Sequence, residues 1–328
     1  MPSAIVAREL VKHYSPEVKA VNGIDLDIGR GRIFAFLGAN GSGKTTTVRM
    51  LTTLLRPTSG RAEVDGLDVL ARAGEVRRRI GVALQDVSLD DLQTGRELLR
   101  LQARLYGVPA DRIGERAEHL MKVVDLVDAA GRLVKTYSGG MKRRLDLAAA
   151  LVHEPKIVFL DEPTTGLDPI SREAIWRYVR ELNEDEGVTF FLTMQYLEEA
   201  DRLADQVAII DAGRIVAEGS PAELKATIGT DVVTVRVGRG DEEVSRAASA
   251  LRQLGAADIR VLEDSVVVYI KDGSTAIPRI VLLLTEASIQ MEEVTLARPT
   301  LDDVFLRKTG HHLEADETGE EPATEGSP

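Results

Sequence analysis

The chain has no cysteine. That excludes disulfides, Cys-ligated zinc and thiol catalysis, and it is compatible with the cytosol. Long hydrophobic runs are also missing: no apolar stretch approaches the ~18 residues needed to span a bilayer. The short apolar runs at 157–160 and 280–284 read as core. Work at a membrane would therefore require another chain to span it. Nor is there an excess of positive charge. The formal net charge of -12 argues against nucleic acid as a partner held by a basic face. The opening residues, Met1 to Glu9, lack the basic-then-apolar order of an export signal.

What the chain does have is length, 328 residues, and an ordinary apolar content of 44%. Together these suggest two domains of a soluble globular protein with a sizeable core. The central feature is Gly38-Ala39-Asn40-Gly41-Ser42-Gly43-Lys44-Thr45, which fits G-x-x-x-x-G-K-[ST]. An apolar stretch at 32–37 reads as a buried strand before it, and 45–55, free of Gly and Pro, as a helix after it. Strand, glycine loop and helix form the context that phosphate binding requires. Glycines let the backbone curl so that several N–H groups face phosphate oxygens, and the following helix presents its positive end. Candidate nucleotide contacts are Gly38, Asn40, Gly41, Ser42, Gly43, Lys44, Thr45 and Thr46. Lys44 should reach the β- and γ-phosphates, and the Thr45 hydroxyl should bind Mg²⁺.

A second constellation is Ile157-Val158-Phe159-Leu160-Asp161-Glu162, an apolar strand ending in two carboxylates. Ligands of doubly wound sheets bind at the carboxyl ends of strands, so this pair should emerge beside the phosphates. Asp161 would hold Mg²⁺, and Glu162 would act as general base toward the attacking water. A third is Ser138-Gly139-Gly140, which opens a helix running through Met141-Lys142-Arg143-Arg144. Ser138 is a good N-cap, and the glycines allow close backbone approach to a phosphate.

Around these motifs the chain reads as short antiparallel strands over 1–30, an α/β core, and a helical insert at 94–151. Leu98, Leu101 and Leu105 carry the helical spacing of that insert. Strands are expected at 61–64, 80–84, 156–160, 188–192, 206–210 and 214–217, and a helix at 221–226 closes the first domain. The following residues run β-α-β-β-α-β, the ferredoxin-like order, with one more helix at 301–308. The expected domains are 1–228, 229–310 and an acidic tail, 311–328. The tail has six acidic residues and no Lys or Arg, the composition of a disordered segment.

The set of motifs over residues 1 to about 225 resembles the nucleotide-binding domain of ATP-binding-cassette (ABC) transporters, a P-loop NTPase fold of α/β class. Tyr137-Ser138-Gly139-Gly140-Met141 resembles the family signature, usually Leu-Ser-Gly-Gly-Gln, and departs from it at both ends. The resemblance implies that Gln85 touches Mg²⁺ or the attacking water, that Asp168 lies in the D-loop, and that Tyr14 stacks on the base of ATP or GTP. Gln195 stands where most members carry a switch histidine. The stretches 137–146, 195–201 and 301–306 narrow the resemblance to ATPase subunits of daunorubicin/doxorubicin-resistance exporters. It implies a homodimer with composite ATP sites, on the cytoplasmic side of the membrane, serving a separate integral-membrane permease for drugs, antibiotics or lipids. A non-transport ABC ATPase and a nucleotide-dependent regulatory module are the alternatives.

Overall fold

The computed structural model describes residues 3–85, 88–228, 231–237, 241–256, 258–262 and 264–309. The expected acidic tail lies outside them. The described chain divides into two compact units that meet in sequence at Gly219.

In the first unit, β1 (Ser3–His13) and β2 (Lys19–Gly29) form a long antiparallel pair. β3 (Ile33–Leu37) leads through the glycine loop into α1 (Lys44–Leu51). β4 (Ser59–Val64) returns to pair with β1, and the two-residue β5 (Leu67–Asp68) follows a turn whose Asp65 and Gly66 both have positive φ. Positive φ at both central residues is what a type I′ hairpin needs. Next come α2 (Ala73–Arg79), β6 (Ile80–Ala83) and the helices α3 (Gly95–Leu105), α4 (Ile113–Val123) and α5 (Gly139–Ala150). The core resumes with β7 (Ile157–Asp161), α6 (Pro169–Glu186), β8 (Thr189–Met194), α7 (Leu197–Leu203), β9 (Gln206–Asp211) and β10 (Arg214–Gly219).

The six-stranded sheet runs β10-β9-β3-β8-β7-β6, with β9, β3, β8, β7 and β6 in parallel ladders. Parallel strands are covered on both faces, so their sequences are apolar throughout rather than alternating. All five residues of β3 and all six of β8 are buried. Phe191 sits at the centre, its ring centroid 5.2 Å from Phe34 and 5.5 Å from both Phe36 and Phe159. Burying each such ring contributes about 1.5–3 kcal/mol. The antiparallel sheet β2-β1-β4-β5 joins this same core through Ile5, Leu10, Ile24 and Ile28.

Two helices of this unit go beyond what the sequence shows. Leu98 is buried, but Leu101 and Leu105 face solvent. The buried face of α3 is formed by Gly95, Leu98, Leu99 and Ala103, and Thr94 and Glu97 close a capping box at its start. The leucine spacing marks the helix but not which of its faces is buried. Helix α2 was not expected at all. It buries only Val76, so no apolar period marks it, and three consecutive arginines end it.

The second unit opens with α8 (Pro221–Ile228), then β11 (Asp231–Arg236), α9 (Asp241–Leu251), β12 (Asp258–Val261), β13 (Ser265–Ile270), α10 (Gly273–Glu286), β14 (Glu293–Ala297) and α11 (Leu301–Thr309). Its antiparallel sheet is ordered β12-β13-β11-β14. This is the split β-α-β arrangement read from the sequence. Val233, Val235, Val266 and Val268 meet Val244, Leu251, Ile280 and Leu284 in a core of their own. Helix α8, expected to close the first domain, belongs here. It packs against α11, and Arg307 donates to the Thr227 carbonyl at 3.2 Å.

Candidate functional site

Four adjacent strands deliver the candidate residues to one edge. Leu37 of β3 is in register with Met194 of β8, Thr193 with Asp161 of β7, and Leu160 with Ala83 of β6. One or two residues beyond those ends come Gly38, Gln195, Glu162 and Gln85. A 330 Å³ cleft at this edge is lined by Ala20, Ala39–Gly41, Gly43–Thr46, Gln85, Glu162, Thr165 and Gln195.

The loop floor is shaped by glycines that nothing larger can replace. Gly43 has φ +112, and a Cβ there would lie 2.3 Å from the Ala20 carbonyl oxygen; one on Gly38 would lie 2.4 Å from that of Ile210. Gly43 also caps α1 without any side-chain hydrogen bond. The first-turn N–H groups of α1 thus face the cleft with no cap to satisfy them, as an anion site requires. Gly38 and Ser42 support the loop from beneath rather than line it, and Ser42 is 5% exposed.

Lys44 is buried, and its Nζ donates to the carbonyls of Gly38 (2.7 Å) and Ala39 (3.2 Å). Glu162 Oε1 lies 3.6 Å away. Burial pushes the Lys44 ammonium pKa down, while Glu162 and Asp161 oppose that shift.

Asp161 is fully buried. Its Oδ1 accepts from Thr193 Oγ1 at 2.6 Å and from Thr45 Oγ1 at 3.3 Å, while Oδ2 has no partner. Glu162 follows with φ +49, a left-handed conformation that a non-glycine residue holds only when its surroundings enforce it. The enforcing contact is Thr193, whose hydroxyl accepts the Glu162 N–H at 2.9 Å. This twist turns the carboxylate into the cleft. There Glu162 Oε2 accepts from Gln195 Nε2 at 2.9 Å and from Gln85 Nε2 at 3.3 Å. Gln195 Nε2 also reaches Asn40 Oδ1 at 3.1 Å.

The structure therefore gathers the glycine loop, Lys44, Thr45, Gln85, Asp161, Glu162 and Gln195. Tyr14, Ser138, Gly139, Gly140 and Asp168 lie outside the cleft lining. Tyr14 is 55% exposed between β1 and β2, with Lys12 Nζ 5.3 Å from its ring centroid. Ser138 caps α5, accepting the Met141 N–H at 3.2 Å. Asp168 caps α6, with Ser171 N–H at 3.0 Å and Ser171 Oγ at 2.6 Å, and these bonds hold its carboxyl below the ordinary value.

Sequence reasoning missed Ala20, Thr165, Thr193 and Arg143. Nothing local marks the first three. Arg143 had a signal: it sits four and seven residues before Leu147 and Ala150, on the buried face of α5.

Comparison with known proteins gives the same picture. Residues 21–165 match the ABC transporter family, and residues 219–309 match the family described as ATP-binding protein DrrA1-3-like, C-terminal domain. A daunorubicin resistance ATP-binding protein of Streptomyces coeruleorubidus is 47% identical over 94% of this chain and 96% of its own length. A Nod factor export ATP-binding protein of Cupriavidus metallidurans is 37% identical over 95% of this chain and 99% of its own. A dimeric ATP-binding cassette solved in a post-hydrolysis state with ADP and Pi superposes with a TM-score of 0.62 at 25% identity, covering 66% of this chain and 98% of that one. Matched over nearly its whole length, second unit included, the chain belongs to the ATP-hydrolysing, ATP-binding proteins of ABC transporters, in the group with a DrrA1-3-like C-terminal domain.

Proposed function

We propose that this cassette energises export through a separate integral-membrane permease, from the cytoplasmic side, with drug-, antibiotic- or lipid-like molecules as cargo. Among the described residues no helix is long and apolar enough to cross a membrane, so a spanning partner fits the fold. Relatives named for daunorubicin resistance and for Nod factor export match 94% and 95% of this chain. Cargo choice on that view lies in the permease.

The observation that carries the catalytic reading is Glu162. Its enforced backbone twist aims an otherwise costly carboxylate at the space between Lys44, Gln85 and Gln195. In that position it accepts a proton from water attacking the γ-phosphate. Lys44 exchanges its loop carbonyls for phosphate oxygens, and the free N–H groups of α1 take the β-phosphate. Gln195 keeps one amide hydrogen on Glu162 and exchanges Asn40 for the γ-phosphate with the other, without acid–base work, since an amide does not titrate. Tyr14, exposed between β1 and β2, offers a face for the purine.

The residues fit a magnesium ion. The partnerless buried Asp161 Oδ2, the Thr45 hydroxyl and the Gln85 side chain are oxygen donors few enough to leave room for water and phosphate oxygens. Once bound, Mg²⁺ would neutralise charge developing on the phosphates.

Ser138-Gly139-Gly140 opens a helix N-terminus outside the chain's own cleft. That placement supports a homodimer in which each signature, with Asp168 beside it, completes the partner's ATP site. The second unit, with its own core, then serves dimerisation or regulation.

Detergent extraction and affinity purification of the chain from its native membranes tests the proposal. A co-purifying multi-span protein, released or retained according to nucleotide state, is the expected result. A chain recovered without any membrane partner, at any nucleotide state, would refute the transport role.

A further inference from the structure

Arg143 is a buried cation that the reaction chemistry leaves unassigned. It lies one turn into α5, after Ser138-Gly139-Gly140, and is 6% exposed. Its guanidinium spans three backbone carbonyls. Nη1 donates to Leu84, Nη2 to Asp161, and Nε to Pro163 at 3.2 Å. Leu84 immediately precedes Gln85, and Asp161 and Pro163 bracket Glu162. Asp146, one turn further along α5, puts Oδ2 3.7 Å from Nη1.

We propose that Arg143 is the positioning residue that couples the signature helix to Gln85 and Glu162, setting their geometry according to where the N-terminus of α5 sits. This deepens the catalytic reading above and rests on the roles given there to Gln85 and Glu162.

A buried guanidinium is costly to desolvate, and an apolar side chain would fill the space under α5 at lower cost. The buried charge is therefore offset by its contacts, and all three carbonyl contacts fall at strand ends that carry reacting groups. The contact is also rigid. A planar fork with donors fixed in direction ties three acceptors at once, which the rotatable point charge of a lysine does not reproduce. Finally, the tether is short. No flexible segment intervenes between the first turn of α5 and the carbonyls that flank Glu162. A shift of α5 on engaging a phosphate group at its N-terminus moves the Leu84, Asp161 and Pro163 carbonyls with it. Gln85 and Glu162, whose side chains already meet at 3.3 Å, move as a unit.

Arg143→Lys and Arg143→Gln in the full-length chain test this. The readouts are steady-state MgATP turnover, equilibrium nucleotide binding and the urea unfolding midpoint. A misplacement of about 1 Å at reacting groups costs up to about a hundredfold in rate. The expected result is a kcat lower by about tenfold to a hundredfold in both variants, with KM and nucleotide affinity within about twofold of wild type. Arg143→Lys should recover the unfolding midpoint without recovering kcat. Wild-type kcat in Arg143→Lys would overturn the proposal. So would kcat, affinity and midpoint falling together in both variants, since that is the mark of a merely structural contact.

A second measurement keeps the test open if one variant folds poorly. Arg143→Lys combined with Glu162→Gln should lose clearly less than the product of the two single losses, because much of the effect of Arg143 runs through the base. Additive losses would refute the coupling. Wild-type turnover in Glu162→Gln alone would instead sink the role given to Glu162, a failure separable from that of Arg143.

Discussion

Gln195 is the residue whose role can be cut most cleanly. Its Nε2 lies 2.9 Å from Glu162 Oε2 and 3.1 Å from Asn40 Oδ1, so Gln195→Ala removes one charge-assisted hydrogen bond and one neutral one. Bonds to charged groups are worth about 1.5–3 kcal/mol net, and a half-buried site belongs at the lower end. If about 1.5–2 kcal/mol of that is realised in the transition state, kcat falls about 10–30-fold, at about 1.4 kcal/mol per factor of ten. Lys44 and the α1 N-terminus are untouched, so KM for MgATP should stay within about twofold. Phosphate release over an ATP titration gives kcat and KM, and a fluorescent nucleotide gives affinity without turnover. Gln195→His supplies the control. It restores a donor beside Glu162, should keep most of the activity, and should add a pH dependence between about 6 and 7, where histidine titrates. Wild-type kcat in Gln195→Ala would refute the reasoning. A raised KM with unchanged kcat would refute it equally, because it would mean that Gln195 only binds.

Lys44→Ala should weaken MgATP binding, whereas Glu162→Gln should bind ATP with near wild-type affinity and lose turnover by at least about a hundredfold; near wild-type hydrolysis by the latter removes Glu162 from the mechanism. Gly43→Ala should destabilise the first unit by about 2–4 kcal/mol and abolish nucleotide binding, because its Cβ meets the Ala20 carbonyl and its φ is +112; calorimetry showing an unchanged midpoint would contradict this. Burial lifts the Asp146 carboxyl from its ordinary 3.8 to about 6, with Arg143 opposing the shift. A raised folded-state value means that stability is fully present below about pH 4 and is lost as pH rises to about 6. Relative to Asp146→Asn, the wild type should therefore lose up to ~3 kcal/mol across that window, and urea midpoints that track each other from pH 4 to 7 would count against it.

The parts of the site that were legible share one property: each is fixed by the element it follows. The glycine loop needs a strand before and a helix after, and β3 and α1 supply them. Asp161 and Gln195 are the last residue of β7 and the first after β8, and Gln85 and Glu162 fall one or two residues past β6 and β7. In a parallel sheet such positions share an edge by construction, so motif order alone assembles the cleft. The ferredoxin-like order of the second unit was legible for the same reason, since its element sequence specifies its strand pairing.

What was not legible depends on contacts between elements distant in sequence. Helix α8 reads as the end of the first domain because the composition changes after it. Its partner α11 lies some 80 residues on, and only packing reveals the match. Leu101 and Leu105 share a helical period with Leu98, yet the period does not say which of two overlapping stripes meets the core. Thr193 is the most instructive miss. In the sequence it is one more residue of an apolar strand, with no motif attached. In the fold its hydroxyl donates to Asp161 and accepts from the Glu162 backbone, so it holds the two carboxylates in their separate orientations. The motif names the carboxylates. The neighbouring strand, by supplying one hydroxyl in register, makes the first a buried acceptor and turns the second into the cleft.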